Sequence, residues 1–315
     1  MTGRWKRKRP VFEDADRSLK VLFVPWWYPN KDRYEPSRGF ILRDHIKAAS
    51  AYEKINVLVF RPEVSPGSES CIRKYTQKGI GVIEITPPVT GSKFLDHLGE
   101  RIYWHRGLVL ALRSWGRPHV IHSQDMASFH AVRSASALGI PSVVGQYWSG
   151  FQRRIVTPAL KSRFRRAFKS ARIILVSRQD GARDLRRYRI TGDVRWLPPS
   201  IDTEIFNPLH KTRQSRDLVH ISSFGENERV EDVIDAFQRV RSSHPGTVLR
   251  LAGDGGWRHE LERYAADRLP KDSYSFTGYL DSEKRAGLLK ASAGFVYPSM
   301  KNQHSIDLIE AMACG

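Results

Sequence analysis

The chain has 315 residues, of which 40% are hydrophobic and 27% charged, a composition that excludes wholesale disorder. No run approaches about 18 apolar residues, which excludes a membrane-spanning helix. The net charge of +19 at pH 7 favours an anionic partner. With only Cys71 and Cys314, and no apolar run after the basic start, the sequence predicts a reducing, cytoplasmic location.

Short β-rich runs alternate with amphipathic segments along the whole chain. In the first block we predict a helix over 40–51 and strands over 20–24, 56–60, 81–86, 119–122, 142–145 and 172–176. The pattern restarts after Pro208, with helices over 230–240, 257–268 and 306–313 and strands over 218–222, 248–252, 274–277 and 294–297. Strands with little polar alternation indicate parallel sheets covered on both faces, so we expect two doubly wound Rossmann-like α/β units.

The predicted domains differ in charge. We divide the chain into a polar tail (1–18), a first domain (19–200), a linker rich in Pro and polar residues (201–216) and a second domain (217–315). Residues 1–200 hold 37 Lys and Arg against 16 Asp and Glu, whereas residues 201–315 hold 15 against 17. The basic excess therefore lies in the first part, which is expected to meet the anionic partner.

Two features of the second block favour a ligand site. Gly253, Asp254 and Gly255 follow a predicted strand and precede a helix, where backbone N–H groups can approach a phosphate. A tight turn between strand and helix would explain the same glycines. Glu310 lies on the helix that follows the last predicted strand, a suitable place for a ligand-binding carboxylate in an open sheet. A solvated helix position is the alternative for Glu310.

These stretches, in their order, carry a family resemblance. In the second block they are Arg229–Phe237, Leu251–Gly255, Phe276–Tyr279, Val296–Ser299 and Glu310–Gly315. In the first block they are Trp27–Pro29, Arg38–Asp44, Val120–His122, Ile140–Pro141, Trp148–Gly150 and Ile201–Pro208. The ordered set resembles glycosyltransferase family 4, whose members have the GT-B fold of two Rossmann-like domains.

The resemblance implies a metal-independent, retaining transfer of a hexosyl unit from a nucleotide-diphosphate sugar to a glycan or lipid-linked acceptor. No cofactor beyond the donor is implied. Glu310 would hold the ribose, Asn302 would face the donor sugar, and Arg229 with Arg178 would stabilise the leaving diphosphate. The remaining implied donor-binding residues are Gly39, Gly253, Asp254, Gly255, Tyr279 and Ser299. The implied acceptor-side residues are His122, Tyr147 and Trp148.

Several positions depart from the family pattern. Asn302 replaces the first glutamate of the family's Glu-x7-Glu signature, and an amide cannot offset the charge of an oxocarbenium ion. Gly225 and Glu228 replace the Arg and Lys that clamp the diphosphate. A glutamate there would repel the diphosphate by about 1 to 4 kcal/mol per close charge pair. Gln146 and Tyr147 replace a Glu-His pair. A catalytically degenerate relative that binds a membrane or a partner protein is therefore the alternative function.

Family members continue past the position of Gly315 with further strands and helices. We therefore expect the second domain to be incomplete, as a natural truncation or as a fragment of a longer chain.

The segment 153–172 alternates basic and apolar residues, which predicts an amphipathic helix with a cationic face. A solvated helix face and a dock for an anionic membrane are both open interpretations. A nucleic-acid binder is a third, less favoured hypothesis, because the chain contains no recognised nucleic-acid module. No metal site is predicted, since Asp14 and Asp16 precede the first strand and His119 and His122 point to opposite faces of a strand.

Overall fold

In the computed structural model, the described residues are 19–25, 40–50, 53–60, 69–77, 79–148, 150–152, 154–209, 215–225, 228–298 and 306–315. Two sheets organise this part of the chain, one of eight strands and one of four. By the density of contacts the chain divides into two compact units, with one cut between Val144 and Gly145 inside the first sheet.

The first sheet is largely parallel. Its strands are β1 (Lys20–Val24), β2 (Lys54–Phe60), β3 (Cys71–Gln77), β4 (Ile80–Thr86), β5 (Val120–Gln124), β6 (Ser142–Gln146), β7 (Ile173–Val176) and β8 (Val194–Trp196). They lie in the order β3-β4-β2-β1-β5-β6-β7-β8. The pairs β1–β2, β1–β5, β2–β4 and β7–β8 are parallel, whereas β3 is antiparallel to β4. The helices of this part are α1 (Phe40–Ser50), α2 (Lys93–Trp115), α3 (Ser128–Ala137), α4 (Pro158–Lys169) and α5 (Gly181–Arg187).

The core of the first sheet lies beneath the C-terminal half of α2. Trp104 and Leu108 of that helix are buried in one cluster with Ile83 and Ile85 of β4. Gly107 allows the close approach, since a Cβ at this position would lie 2.1 Å from Cδ1 of Ile85. Residues 93–102 of α2 contribute nothing to this cluster, so the helix is anchored to the sheet at one end.

The second sheet is parallel throughout its described strands. These are β9 (Leu218–Ser222), β10 (Leu249–Gly253), β11 (Tyr274–Gly278) and β12 (Gly294–Phe295), in the order β11-β10-β9-β12. The helices are α6 (Val230–Ser243), α7 (Arg258–Ala266), α8 (Ser282–Ala291) and α9 (Ile306–Cys314). Alternate strand residues enter two clusters: Leu249 and Leu251 pack with α6 and α7, while Val219 and Ile221 pack with α8 and α9. The sheet is thus covered on both faces, as the apolar strands predict.

The predicted class of two doubly wound α/β units is confirmed. The bounds of β1 and β9 agree with the sequence prediction, and the other predicted elements differ by a few residues at their ends. The strand predicted over 294–297 is shorter, since β12 spans Gly294–Phe295. The predicted domain boundaries and the predicted incompleteness of the second domain stay predictions. Among the described residues, no helix is long and apolar enough to cross a membrane.

Candidate functional site

Each sheet has a point at which the strand order reverses, and ligands of open α/β sheets bind outside the carboxyl ends of the strands at such a point. In the second sheet the reversal lies between β9 and β12, because the chain first extends through β10 and β11 on the other side of β9. In the first sheet the reversal lies between β1 and β5, with His122 on β5. We therefore expect the ligand-binding residues to lie at these two edges.

Backbone contacts between two loops account for the glycines of the second sheet's edge. A Cβ on Gly253 would lie 1.9 Å from the carbonyl oxygen of Ser222, and one on Gly255 would lie 2.0 Å from that of Ser223. Gly253 also has a φ of +135°, which disfavours other residues. The loops after β9 and β10 therefore lie backbone against backbone. Both glycines are explained by this packing before any ligand is considered.

Two other predicted donor-binding residues border the same edge. Asp254 is exposed, with a carboxylate that accepts a hydrogen bond from the N–H of Gly255 at 2.9 Å and lies 3.6 Å from the guanidinium of Arg258. Tyr279 directly follows β11 and is half-buried. The cation Arg258 would not repel an anionic ligand. The carboxylate of Asp254, in contrast, adds negative charge close to the glycine turn.

The two charged residues before α6 have different surroundings. Arg229 caps the helix in the left-handed conformation with a φ of +53°, and its exposed guanidinium pairs with Asp232 in the first turn. This ion pair raises the pKa of Arg229 further. Glu228, by contrast, is buried. The glutamate at the expected diphosphate position is therefore turned into the protein, and Arg229 lies on the surface.

Glu310 is one of the most deeply buried charged residues of the described chain, with 1% of its surface exposed. Its carboxylate pairs with the guanidinium of Arg285 on α8, which is itself buried. Asp307, one turn earlier on α9, lies 3.5 Å from the same guanidinium. The guanidinium carbon of Arg285 also lies 5.7 Å from the ring centroid of Phe206. A buried carboxylate next to a guanidinium is therefore fixed in position by α8.

His220, in the middle of β9, links this strand to the residue that follows β12. Its Nδ1 lies 2.9 Å from the carbonyl oxygen of Val296, and its Nε2 lies 2.9 Å from Oγ of Ser222. Burial lowers the pKa of His220, and the nearby carboxylates Glu228 and Asp307 oppose that shift only in part. The imidazole is therefore neutral at pH 7.

The predicted acceptor-side residues have well-defined contacts. The Tyr147 hydroxyl lies 3.4 Å from Nδ1 of His45 on α1, whose Nε2 lies 3.3 Å from the carbonyl oxygen of Pro198. The Trp148 ring stacks on Phe164 with centroids 6.0 Å apart. His122 is half-buried, with its ring centroid 4.2 Å from that of Phe23. Tyr147 and His122 retain exposed surface for a ligand, while much of Trp148 serves packing.

Arg178 follows β7 at the carboxyl edge of the first sheet. Its Nη2 pairs with Asp180, and its side chain is 15% exposed. Its Nη1 is buried and has no hydrogen-bond partner among the residues that the structure describes. A guanidinium with an unsatisfied N–H can donate a hydrogen bond to an oxygen of an anionic ligand.

The predicted residues Gly39, Ser299 and Asn302 lie outside the described residues. Within the described ranges, no group of three or more His, Cys, Asp or Glu side chains is arranged to hold a metal ion.

Sequence reasoning missed Arg285 and His220. Arg285 belongs to the polar run Ser282-Glu283-Lys284-Arg285, where nothing distinguishes it from its exposed neighbour Lys284 except helical spacing. Arg285, Ala286 and Leu289 share the buried face of α8. The apolar spacing could therefore have identified Arg285 as an inward-facing cation in need of a carboxylate. His220 lies in the middle of an otherwise apolar strand, a signal for a buried histidine.

Family models match nearly all of the chain. The model described as "Glycosyltransferase Family 4" matches residues 24–205, and the one described as "Glycosyl transferases group 1" matches residues 201–315. The first match covers more than half of the chain. The two matches meet within the predicted linker.

Curated relatives match mainly a short segment. A glycogen synthase of Mycobacterium tuberculosis is 30% identical over 99 residues, 31% of this chain and 24% of the relative. An N-acetyl-alpha-D-glucosaminyl L-malate synthase of Bacillus anthracis is 34% identical over 98 residues, 31% of this chain and 25% of the relative. A GDP-mannose-dependent alpha-(1-6)-phosphatidylinositol dimannoside mannosyltransferase of M. tuberculosis is 28% identical over 129 residues, 38% and 33% of the two chains. The match therefore spans about a quarter to a third of these relatives.

Solved structures match almost the whole chain. A sucrose-phosphate synthase from Thermosynechococcus elongatus has a TM-score of 0.65 at 14% identity, over 94% of this chain and 79% of that one. HepE from Anabaena in complex with UDP has a TM-score of 0.67 at 14% identity, over the same shares of the two chains. At this identity they show the fold alone. The GT-B fold expected from the sequence is confirmed.

Proposed function

Because the chain belongs to glycosyltransferase family 4, we propose that it transfers a hexosyl unit from a nucleotide-diphosphate sugar to a glycan or a lipid-linked acceptor. The transfer is retaining and requires neither a metal ion nor a cofactor. The names of two relatives support this acceptor class, a phosphatidylinositol dimannoside mannosyltransferase and a glycogen synthase. A solved neighbour that contains UDP supports the donor class. A role in polysaccharide biosynthesis, on the cytoplasmic face of an anionic membrane, is part of the same proposal.

The observation that carries this proposal is the fixed, buried carboxylate of Glu310 near the switch point of the second sheet. Cys314 of α9 packs in one buried cluster with Val219 and Ile221 of β9, so α9 lies against the strand at which the strand order reverses. Arg285 holds the carboxylate in one place. A carboxylate accepts hydrogen bonds from the vicinal hydroxyls of a ribose, and a fixed one loses little entropy on binding. Glu310 is therefore assigned to the ribose.

The diphosphate is assigned to the N-terminus of α6 and to the glycine turn after β10. Backbone N–H groups at these places favour an anion, and the dipole of a 14-residue helix adds to the attraction. Glu231 and Asp232 in the first turn of α6 oppose it. On donor binding, the guanidinium of Arg229 would leave the carboxylate of Asp232 and pair with the diphosphate. This is favourable because the exposed ion pair between Arg229 and Asp232 is weak. Arg178, with its unsatisfied Nη1, is the proposed cation of the first domain.

Asp254, Tyr279, Gly39, Ser299 and Asn302 keep their proposed roles in the donor site, and His122, Tyr147 and Trp148 keep theirs in the acceptor site. The described geometry supports Tyr147 through its contact with His45, which holds the phenol in place. It supports Trp148 least, since a Cβ on Gly150 would lie 2.2 Å from the indole. The indole is thus engaged on one face by the chain itself.

The experiment that tests this proposal is calorimetric titration of UDP, GDP and ADP, up to millimolar concentration, into the purified chain. We expect one nucleoside diphosphate to bind and Glu310→Gln to weaken that binding by about tenfold or more, since hydrogen bonds to a charged group contribute ~1.5–3 kcal/mol. Glu283→Gln, an exposed change on α8, is the matched control and should leave binding unchanged. If none of the three nucleotides binds, the proposal is wrong.

A second candidate function is a catalytically degenerate relative that binds a membrane or a partner. The observation that favours it is that three charged side chains of the proposed donor site are already engaged within the chain. Arg229 pairs with Asp232, Glu310 pairs with Arg285, and Glu228 is buried near His220. Glu228→Lys distinguishes the two functions. A large gain in nucleotide affinity would indicate that the natural site is degenerate, whereas intact affinity in the unmodified chain and none in the variant would favour the transferase.

A further inference from the structure

The N-terminal half of α2 exposes apolar side chains along one stripe. Phe94 is 76% exposed, Leu98 44% and Ile102 48%, and Leu95 beside them is 50% exposed. Positions 94, 98 and 102 follow one another at intervals of four residues, so they lie on one face of the helix. Single exposed apolar residues are normal, but a contiguous stripe marks an interaction surface.

The charged residues around this apolar stripe lie on different faces of α2. Arg101 and Arg106 are exposed and flank the apolar stripe, three residues after Leu98 and four after Ile102. The carboxylates are turned away from it. Asp96 accepts hydrogen bonds from the N–H and hydroxyl of Thr90 at 2.6 and 2.8 Å, and Glu100 lies 3.3 Å from His97. The exposed face of this helix thus combines the apolar stripe with a basic border, and the exposed His105, seven residues after Leu98, lies on the same face.

α4 offers a contrasting surface. A membrane dock is one of the two interpretations that the sequence leaves open for the segment 153–172, but the apolar residues Phe164 and Phe168 of α4 are 0% and 1% exposed. They belong to the interior, so α4 presents cations such as Arg165 and Arg166 to solvent, and the large exposed apolar residue of the segment, Ile155, precedes the helix. The cations of α4 can attract an anionic membrane surface, whereas the exposed apolar side chains of α2 can insert into the membrane.

We propose that the N-terminal half of α2 docks on an anionic phospholipid bilayer. Phe94, Leu98 and Ile102 enter the interface between headgroups and acyl chains, and Arg101 and Arg106 contact the lipid phosphates. An apolar stripe bordered by basic residues has the chemistry of an interfacial helix, whose binding adds buried apolar area to attraction for anionic lipid. The excess of basic residues in 1–200 strengthens that attraction. This inference rests on the part of the proposed function that names an anionic membrane as a partner.

Flotation of the 315-residue chain with vesicles tests the proposal. Vesicles of phosphatidylcholine mixed with phosphatidylglycerol should bind the chain, and vesicles of phosphatidylcholine alone should bind it weakly. The double variant Leu98→Ser with Ile102→Ser should lower binding at least about tenfold, because two aliphatic side chains no longer leave water. Its thermal unfolding midpoint should stay close to that of the unmodified chain, since both side chains are exposed.

The chain offers a matched control. Leu308 and Met312 of α9 are also four residues apart and exposed, at 36% and 74%, but lie next to Asp307 rather than basic residues. Leu308→Ser with Met312→Ser should leave vesicle binding unchanged. A second variant, Arg165→Glu with Arg166→Glu, reverses two charges of α4 and leaves the apolar stripe of α2 unchanged.

Three results would overturn the inference. If Leu98→Ser with Ile102→Ser binds vesicles as the unmodified chain does while the α4 variant fails to bind, the membrane partner stands and the surface is α4. If the unmodified chain is a dimer that the α2 double variant dissociates, and no vesicle binds, the stripe joins two copies of the chain. If no vesicle binds at all, the membrane partner itself is wrong, whereas nucleotide titration still decides the transferase function separately.

Discussion

His220 is held as a neutral imidazole because burial disfavours its charged form, although the hydrogen bond to the carbonyl oxygen of Val296 favours the protonated ring. Its pKa is lowered from the ordinary 6.5, so an unfolded chain binds a proton at this residue more readily than a folded one. Stability therefore falls as the pH drops below about 6.5, with a contribution to the slope of at most ~1.4 kcal/mol per pH unit.

His220→Gln should flatten this pH dependence, measured as the free energy of unfolding in urea across the acid range. His259→Gln, at an exposed histidine, is the control and should preserve the slope of the unmodified chain. Equal slopes in the two variants would show that His220 does not titrate as its surroundings imply.

The pair of Arg285 and Glu310 shows how a buried carboxylate depends on its cation. Arg285→Met leaves the carboxylate of Glu310 buried without that cation, which should cost about 3–5 kcal/mol of unfolding free energy. Adding Glu310→Gln removes the charge as well, so the double variant should be less destabilised than the sum of the two single changes.

Urea denaturation of the four chains measures this coupling. Arg195→Met, at an exposed pair with Asp193, is the control and should cost less than about 1 kcal/mol. Strict additivity of the Arg285 and Glu310 changes would contradict the direct pairing.

At the scale of elements, the loops after β9 and β10 are locked together by glycine. Gly255→Ala would place a methyl group 2.0 Å from the carbonyl oxygen of Ser223, and the backbone must shift to relieve the overlap. We expect the free energy of unfolding to fall by about 1–3 kcal/mol. Gly256→Ala, one residue along the chain, meets nothing within 4 Å and should be close to neutral. Thermal unfolding compares the two variants, and an equal effect of both changes would mean that intrinsic glycine flexibility, rather than contact, is the cause.

The two basic helices show why an amphipathic sequence does not reveal which face is buried. In α4 the phenylalanines between the arginines fill the core, whereas in α2 Phe94 and Leu98 lie on the surface. Both segments contain basic and apolar residues in alternation. Only packing against the sheet separates them, and that depends on contacts far apart in sequence.

At the scale of the whole molecule, the sequence was sufficient to predict strands whose residues are apolar on both sides, such as β1 and β9. It did not reveal β3, because a strand with Arg73 and Lys74 at an edge lacks the apolar run that marks a central strand. It did not reveal α2 either, since exposed apolar residues in its first half obscure the helical period.

For the candidate site, motif order indicates Glu310 and the glycines after β10, whose roles toward a donor stay predictions, and the alternative of a tight turn is supported by the contacts of Gly253 and Gly255. The partner of Glu310 could not be predicted, because Arg285 comes from another helix, 25 residues away. The roles of Arg229 and Glu228 depend on which way each side chain turns at a left-handed residue, and sequence does not determine this.

The antiparallel strand β3 lies at one end of the order of described strands in the first sheet, and β8 lies at the other. Unpaired strand edges are templates on which another molecule can add a strand and begin aggregation. The exposed Arg73 and Lys74 of β3, and Arg195 of β8, would face their own copies in such an addition. Like charges then repel, so the basic character that attracts an anionic partner also opposes growth of the sheet from one molecule into the next.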